Sequence, residues 1–220
     1  MGSLKILYED NHIIVVVKPV NMPVCEDASK DLDLLSSIKD YLKEKYNKPG
    51  NVYLGLIHRL DRPVGGVMVF AKTSKAASRL SEEVRLHKMN KQYYAVIMGT
   101  LLCKESVLKD KLLKDPATNI TKVSDLGKEA ILEYKKVSSV NDLTLVRVNL
   151  ITGRSHQIRV QFASRNMPLY GDSKYGNMSK DHIALFAYSL TFTHPITKER
   201  LTFEEHLPNI YPFSLFKDTV

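Results

Sequence analysis

Residues Val52–Ala71 read VYLGLIHRLDRPVGGVMVFA, an apolar run, a polar interruption from His58 to Gly66, and a second apolar run from Val67 to Ala71. Runs of this length bounded by Pro and Gly have the dimensions of strands and fall short of ordinary helices. Working outward, Ile6–Lys18 (ILYEDNHIIVVVK) predicts strand, turn and apolar strand, closed by Pro19 and Pro23. Leu32–Tyr46 carries Leu35, Ile38, Tyr41 and Leu42 at helical spacing and stops before Pro49-Gly50. Lys72–Lys91 is helical in its first two-thirds, with Thr73 or Ser74 as N-cap and Ala77, Leu80 and Val84 on one face. Strands are expected at Tyr93–Met98, at Ala130–Val137 and Leu143–Ile151 around Asn141-Asp142, and at Ile183–Thr193 and Arg200–Phe203. Ser155–Arg165 is expected as a helix burying Ile158 and Phe162. Strands and helices mix without regular alternation. This predicts an α+β fold with a mixed, largely antiparallel sheet and flanking helices. No shift in composition marks a boundary, so one domain over residues 1–220 is expected.

The chain has 220 residues, with 32 Lys+Arg against 24 Asp+Glu and a net charge of +8. No apolar run approaches the ~20 residues that span a bilayer, and Met1–Lys5 lacks the apolar core of a signal peptide. A cytoplasmic protein with no membrane partner is expected. Cys25 and Cys103 cannot build a disulfide framework. The seven histidines include no H-x-x-x-H pair, so no metal is expected. Neither a Walker A loop nor G-x-G-x-x-G occurs, which leaves a nucleotide cofactor without support. The positive charge is compatible with a polyanionic partner such as nucleic acid.

Three stretches could carry chemistry. In His58–Gly66, Asp61 stands between Arg59 and Arg62 on a loop set between strands. In extended chain Arg59 and Asp61 share a side, where an arginine would keep the carboxylate ionised. The bland alternative is a surface ion pair worth ~0–1 kcal/mol. In Ile151–Arg159, Gly153 permits a turn before a helix whose free N–H groups, beside Arg154, would suit a phosphate. An ordinary cap with solvated arginines explains the same residues. Lys72–Lys91 holds six Lys/Arg against two Glu, half of the chain's excess charge. Such a helix can neutralise RNA phosphates, or can simply be a solvated face. Tyr93 and Tyr94 follow on opposite strand faces, so one of them at most is expected in a cleft.

Six segments together resemble the RluA-type family of RNA pseudouridine synthases, from Ile6 to about Pro208. They are EDNHIIVVVKPVNMPV (Glu9–Val24), HRLDRPVGGVMVFAK (His58–Lys72), KQYYAVIMG (Lys91–Gly99), ITGRSHQIRV (Ile151–Val160), MPLYGDSKYG (Met167–Gly176) and LFAYSLTFTHP (Leu185–Pro195). The resemblance implies a catalytic domain with a central RNA-binding cleft. It implies that Asp61 is the essential aspartate, that Tyr93 lies against the target base, and that Arg159 pairs with Asp61. It also implies that Arg59 fills the space vacated by a flipped base. Arg62, Lys72, Lys75, Arg79, Lys88, Lys91, Arg154 and His156 are expected to contact RNA. Three positions depart from the family's usual residues: Gly65 before Gly66, Gln161 after Q-I-R-V, and Phe186 in the last motif. The N-terminal S4 domain of many relatives is not expected here.

The implied reaction is isomerisation of uridine to pseudouridine in ribosomal or transfer RNA. Asp61 acts as nucleophile at C1′ or as the base that begins glycal formation, and the sequence leaves both open. The expected base flip costs a few kcal/mol. Backbone near Tyr188–Leu190 is expected to meet the uracil. No cofactor is implied, and a monomer is the default. Two alternatives remain, a non-catalytic RNA-binding or ribosome-assembly protein, and an RNA N-glycosidase that releases uracil.

Overall fold

Asp10 shapes the first hairpin. Its carboxylate accepts the backbone N–H groups of His12 and Ile13 at 2.7 and 2.8 Å, joining β1 (Lys5–Glu9) to β2 (Ile13–Lys18). The structure, a computed structural model, describes residues 4–101, 103–176 and 182–219. The remainder of the expected 1–220 domain lies outside the described residues. By contacts the chain forms two compact units, Met1–Met89 with Ser189–Glu205, and Asn90–Tyr188 with His206–Val220.

The first unit contains β1 and β2, α1 (Leu34–Lys45), β3 (Gly55–Leu56), β4 (Gly65–Ala71) and α2 (Ser74–Arg85). It also holds the second half of a strand that is tenth in chain order, β10 (Leu185–Thr193), and β11 (Arg200–Glu204). The order is β1-β2-β4-β10, with β3 on β4 and β11 on β10. β4 is buried at every residue and β2 at all but Val17, the pattern of strands covered on both faces. Ile13, Val15, Val67, Val69 and Ala71 pack against Ala76 and Leu80 of α2. The helix caps follow the sequence: Asp33 accepts from Ser36 N, and Thr73 from Ala76 N. The expected strand Val52–Ile57 shrinks to the two residues of β3.

Glu9 anchors this unit. Its carboxylate receives Lys45 and Lys72 at 2.7 Å each, Tyr46 at 2.7 Å and Tyr41 at 2.9 Å. Burial acts to raise its pKa, and the hydrogen bonds outweigh burial and bring it down to about 2. A depressed carboxylate stabilises the fold fully above its ordinary value near 4.5, and the contribution is lost as pH falls toward 2. Glu9→Gln is therefore expected to cost about 2 kcal/mol at neutral pH and almost nothing near pH 2. Melting curves of both proteins across that range check it.

The second unit contains β5 (Asn90–Met98), β6 (Glu105–Asp115), β7 (Ile120–Val123), β8 (Lys128–Val140), β9 (Leu143–Leu150), α3 (Gln157–Ala163) and the first half of β10. A short 3-10 turn at Phe213–Phe216 also belongs to it. The strand order is β10-β5-β9-β8-β6-β7, and the ladders β5/β9, β9/β8, β8/β6 and β6/β7 are all antiparallel. One face carries Tyr93, Val148 and Tyr134, in register across β5, β9 and β8, and α3 lies over it through Phe162 against Tyr134. The helix expected at Ser155–Arg165 is shorter, because His156 takes the left-handed conformation (φ 52°) and helix starts only at Gln157.

Candidate active site

The loop bearing Asp61 is pinned from several sides. Leu60 and Val64 are buried on either side of it, and Val64 N–H closes a turn on the Asp61 carbonyl at 3.0 Å. His58 Nε2 accepts the Val69 N–H at 3.2 Å, tying the loop's start to β4. Lys18, 1% exposed at the end of β2, donates to the carbonyls of Pro19 (2.9 Å), Met22 (2.6 Å) and Arg62 (2.9 Å). One buried ammonium thus joins the β2 exit to the Asp61 loop. Burial pushes the Lys18 amino group down to about 7, against the pull of the Asp61 charge. Asp61 itself is partly exposed.

Lys18 escaped the sequence analysis, because a lysine closing an apolar strand reads as the point where the strand meets solvent. Lys18→Met would strand three carbonyls that now share one donor. Its expected cost is about 3 kcal/mol, or roughly 6–12 °C in melting temperature for a chain of this size. Turnover should fall as well if the loop loosens, and thermal melts beside activity measurements check both.

In the second unit, Arg159 sits on α3 with its guanidinium gripped by Asp172. Nε and Nη2 donate to the two carboxylate oxygens at 2.8 and 2.7 Å, and the pair is buried. The bidentate fork fixes the plane of the guanidinium as well as its position. The Tyr175 ring lies 5.2 Å from the guanidinium carbon, a cation–π contact. Asp172 also accepts the N–H groups of Lys174 and Tyr175 at 3.0 and 3.1 Å. The Tyr175 hydroxyl accepts the Thr121 N–H at 2.9 Å and meets His156 Nδ1 at 2.6 Å. Gly171 precedes Asp172 with φ 74°, and a Cβ there would collide with the His182 carbonyl. MPLYGDSKYG is therefore the bracket for Arg159. Sequence reading singled out the motif but assigned no role to Asp172 or Tyr175.

Tyr93 is buried on the α3 side of β5, while Tyr94 points to the other face and packs on Tyr188 with centroids 4.2 Å apart. On that other face opens a cavity of about 470 Å3, lined among others by Gln92, Glu133, Lys135, Arg147 and Asn149. It includes none of the sequence-derived candidates. Turning to the RNA candidates, Arg59, Lys75, Arg79 and Lys88 are exposed in the first unit. Arg79 also donates to the Pro195 carbonyl at 2.6 Å. Arg62 is held by Asp31, by Ser29 at 2.8 Å and by Asp27 at 3.4 Å. Lys72 is turned inward onto Glu9 and the Asp10 carbonyl. In the second unit, Arg154 Nε donates to the Glu129 carbonyl at 2.8 Å, and Lys91 is partly buried.

Several expectations change. The left-handed residue of the Ile151–Arg159 turn is His156, not Gly153, and Gln157 organises the turn by accepting from Thr152 Oγ1 (2.8 Å) and Arg154 N (2.9 Å). Ser189 and Leu190 lie inside β10, in register with Glu204 and Phe203 of β11. Gln161 is fully buried and donates to Asp110 (2.7 Å) and to the carbonyls of Ala130 and Leu108 (3.2 and 3.3 Å), so this departure ties α3 to the sheet. Phe186 is buried in β10, and Gly65 opens β4.

Residues 12–164, which hold the Asp61 loop, Tyr93 and Arg159, match the RNA pseudouridylate synthase family. The chain belongs to that family. It is 32% identical to ribosomal large subunit pseudouridine synthase D of Vibrio cholerae, over 94% of this chain and 68% of that one. To ribosomal large subunit pseudouridine synthase C of Buchnera aphidicola it is 31% identical, with the same coverage. The solved structure of human RNA pseudouridylate synthase domain containing 4 matches with a TM-score of 0.81 at 23% identity, over 97% of this chain and 92% of that one. The pseudouridine synthase fold is thus present, in agreement with the α+β expectation. The synthase is an isomerase acting on RNA. Among its described residues no helix is long and apolar enough to cross a membrane, and no cluster of His, Cys, Asp or Glu is arranged to hold a metal.

Proposed function

We propose that this synthase converts uridine to pseudouridine in ribosomal RNA, with Asp61, Tyr93 and Arg159 serving the same uridine and residues 1–220 working as one catalytic domain. The observation that carries the reading is the Arg159 bracket. Asp172 and Tyr175 hold the guanidinium in one plane and one position, the rigidity that a positioning arginine needs. In the reaction the C1′–N1 bond breaks, the uracil turns while bound, and C5 joins C1′. C5 then gives its proton to solvent and N1 takes one up, so that atoms balance. Asp61 supplies the carboxylate that attacks C1′ or takes the proton that begins glycal formation. Tyr93 confines the uracil as it turns. Arg59 enters the stack in place of the flipped base, and Arg62, Lys75, Arg79, Lys88, Lys91, Arg154 and His156 contact the strand. Lys72 contributes by holding the first unit together at Glu9.

The preference for ribosomal over transfer RNA rests on the relatives, which are ribosomal large subunit synthases. The enzyme works in the cytoplasm as a monomer, and the chemistry calls for no cofactor or metal. Tritium release from C5-tritiated uridine in transcripts of large-subunit ribosomal RNA and of transfer RNA tests the assignment. Release from the ribosomal transcripts alone is expected. Release confined to transfer RNA would reassign the substrate, and release from neither would remove the activity.

A further inference from the structure

Residues 25–33, CEDASKDLD, carry four carboxylates against one lysine, in a chain whose net charge is +8. They form a surface loop with a closed neck. Leu34 N–H donates to the Pro23 carbonyl at 2.9 Å and Leu35 N–H to the Val24 carbonyl at 3.0 Å, while Asp33 caps α1. Within the loop Ser29 donates to Asp27 from its N–H (2.9 Å) and its hydroxyl (2.6 Å), and Asp31 N–H donates back to that hydroxyl at 3.2 Å. The network holds the side chain of Arg62, the residue after Asp61. Arg62 Nη1 donates to Ser29 Oγ at 2.8 Å and to Asp27 at 3.4 Å, and Nη2 donates to Asp31. The guanidinium assigned above to RNA is therefore engaged by two carboxylates and a hydroxyl before any RNA arrives. These groups stay open to water, with the side chains of Arg62 and Asp27 each 41% exposed and that of Asp31 53% exposed. Ion pairs in such surroundings are weak and exchange readily. A phosphodiester offers a guanidinium the same planar pair of oxygens that a carboxylate does.

We infer that the 25–33 loop is an internal competitor of the RNA: Asp27 and Asp31 occupy Arg62 in the free protein, and a backbone phosphate takes the guanidinium from them on binding. The loop thereby weakens the hold of Arg62 on RNA, and it recaptures the side chain when RNA leaves. Without such an exchange, carboxylates beside the Asp61 loop would only repel a polyanionic substrate. The inference rests on the reading that Arg62 contacts RNA.

A double-mutant cycle tests it, by filter binding of a large-subunit ribosomal RNA transcript at one salt concentration, beside tritium release and melting of the free proteins. Its corners are the wild type, the pair Asp27→Asn with Asp31→Asn, Arg62→Met, and all three changes together. The asparagine pair keeps the side-chain size and removes the competing charges, so affinity is expected to rise about 3- to 10-fold. Turnover at saturating RNA should stay within about threefold, and the melting temperature within about 2 °C. Arg62→Met should weaken binding only about twofold in the wild type, and about 10-fold beside the asparagine pair, where the guanidinium is unopposed. In the Arg62→Met background the asparagine pair should change affinity less than about twofold. Ser29→Ala alters no charge and loosens the network, so it should raise affinity about twofold. Equal gains from the asparagine pair with and without Arg62 would make the loop a distant repulsive charge and overturn the inference. Unchanged affinity would overturn it too, as would a fall in turnover or melting temperature, which makes the loop a structural brace. Failure of the wild type to release tritium removes the function, whereas release with an additive cycle removes this inference alone.

Discussion

Asp61→Asn is expected to lower tritium release from ribosomal RNA by at least about 10³-fold while leaving RNA affinity within about threefold. The substitution keeps the size of the side chain and removes the charge. A neutral amide can neither attack C1′ nor take a proton, and loss of such a group commonly costs 10²–10⁴-fold or more. The loop should survive, because Leu60 and Val64 are buried beside Asp61, His58 accepts the Val69 N–H, and the Lys18 ammonium donates to the Arg62 carbonyl. A single-turnover release assay paired with filter binding checks both halves. Substantial residual turnover would show that Asp61 is not the carboxylate that carries the reaction.

Asp172→Asn should follow closely in effect, although Asp172 is a positioning residue. The carboxylate sets the plane of Arg159 through two bonds at 2.8 and 2.7 Å. Asparagine offers one acceptor and no charge, so the guanidinium is free to tilt. Misplacement of a catalytic partner by about 1 Å can cost on the order of 10²-fold, and that loss is expected in kcat with KM nearly unchanged. Removing a carboxylate partner from a buried arginine also costs about 3 kcal/mol. The melting temperature should therefore fall together with turnover. Tyr175→Phe separates orientation from stability. It keeps the ring over Arg159 and loses only the hydroxyl's ties to His156 and Thr121, so turnover should drop less than about fivefold.

What the sequence disclosed and what it hid follow one physical division. Local patterns were legible: IIVVVK and GGVMVFA became buried strands, and Thr73 capped α2 as its side chain predicts. The β6 strand was missed because ESVLKDKLLKD buries Leu108 and Leu112, four residues apart, among exposed charges. That spacing fits one helical face as well as alternate positions on one side of a strand. The helix expected from Ser155 lost its first residues to the left-handed His156, a conformation chosen by tertiary contacts rather than propensity. The same limit applies to the site. Asp61, Tyr93 and Arg159 were named through motifs. The groups that hold them were not, since Lys18 reaches across 44 residues to the Arg62 carbonyl and Asp172 across 13 to Arg159. Lys72, read as a member of one basic run, turned out to be paired with Glu9.

The central claim is that a uridine is rearranged in place rather than excised. Nucleoside mass spectrometry of a large-subunit ribosomal RNA transcript, digested after incubation with the wild-type protein, addresses it most directly. The expected product is pseudouridine, isomeric with uridine and resolved from it by retention, with no free uracil and no abasic sites in the RNA. Free uracil with matching abasic sites would show an N-glycosidase and contradict the account.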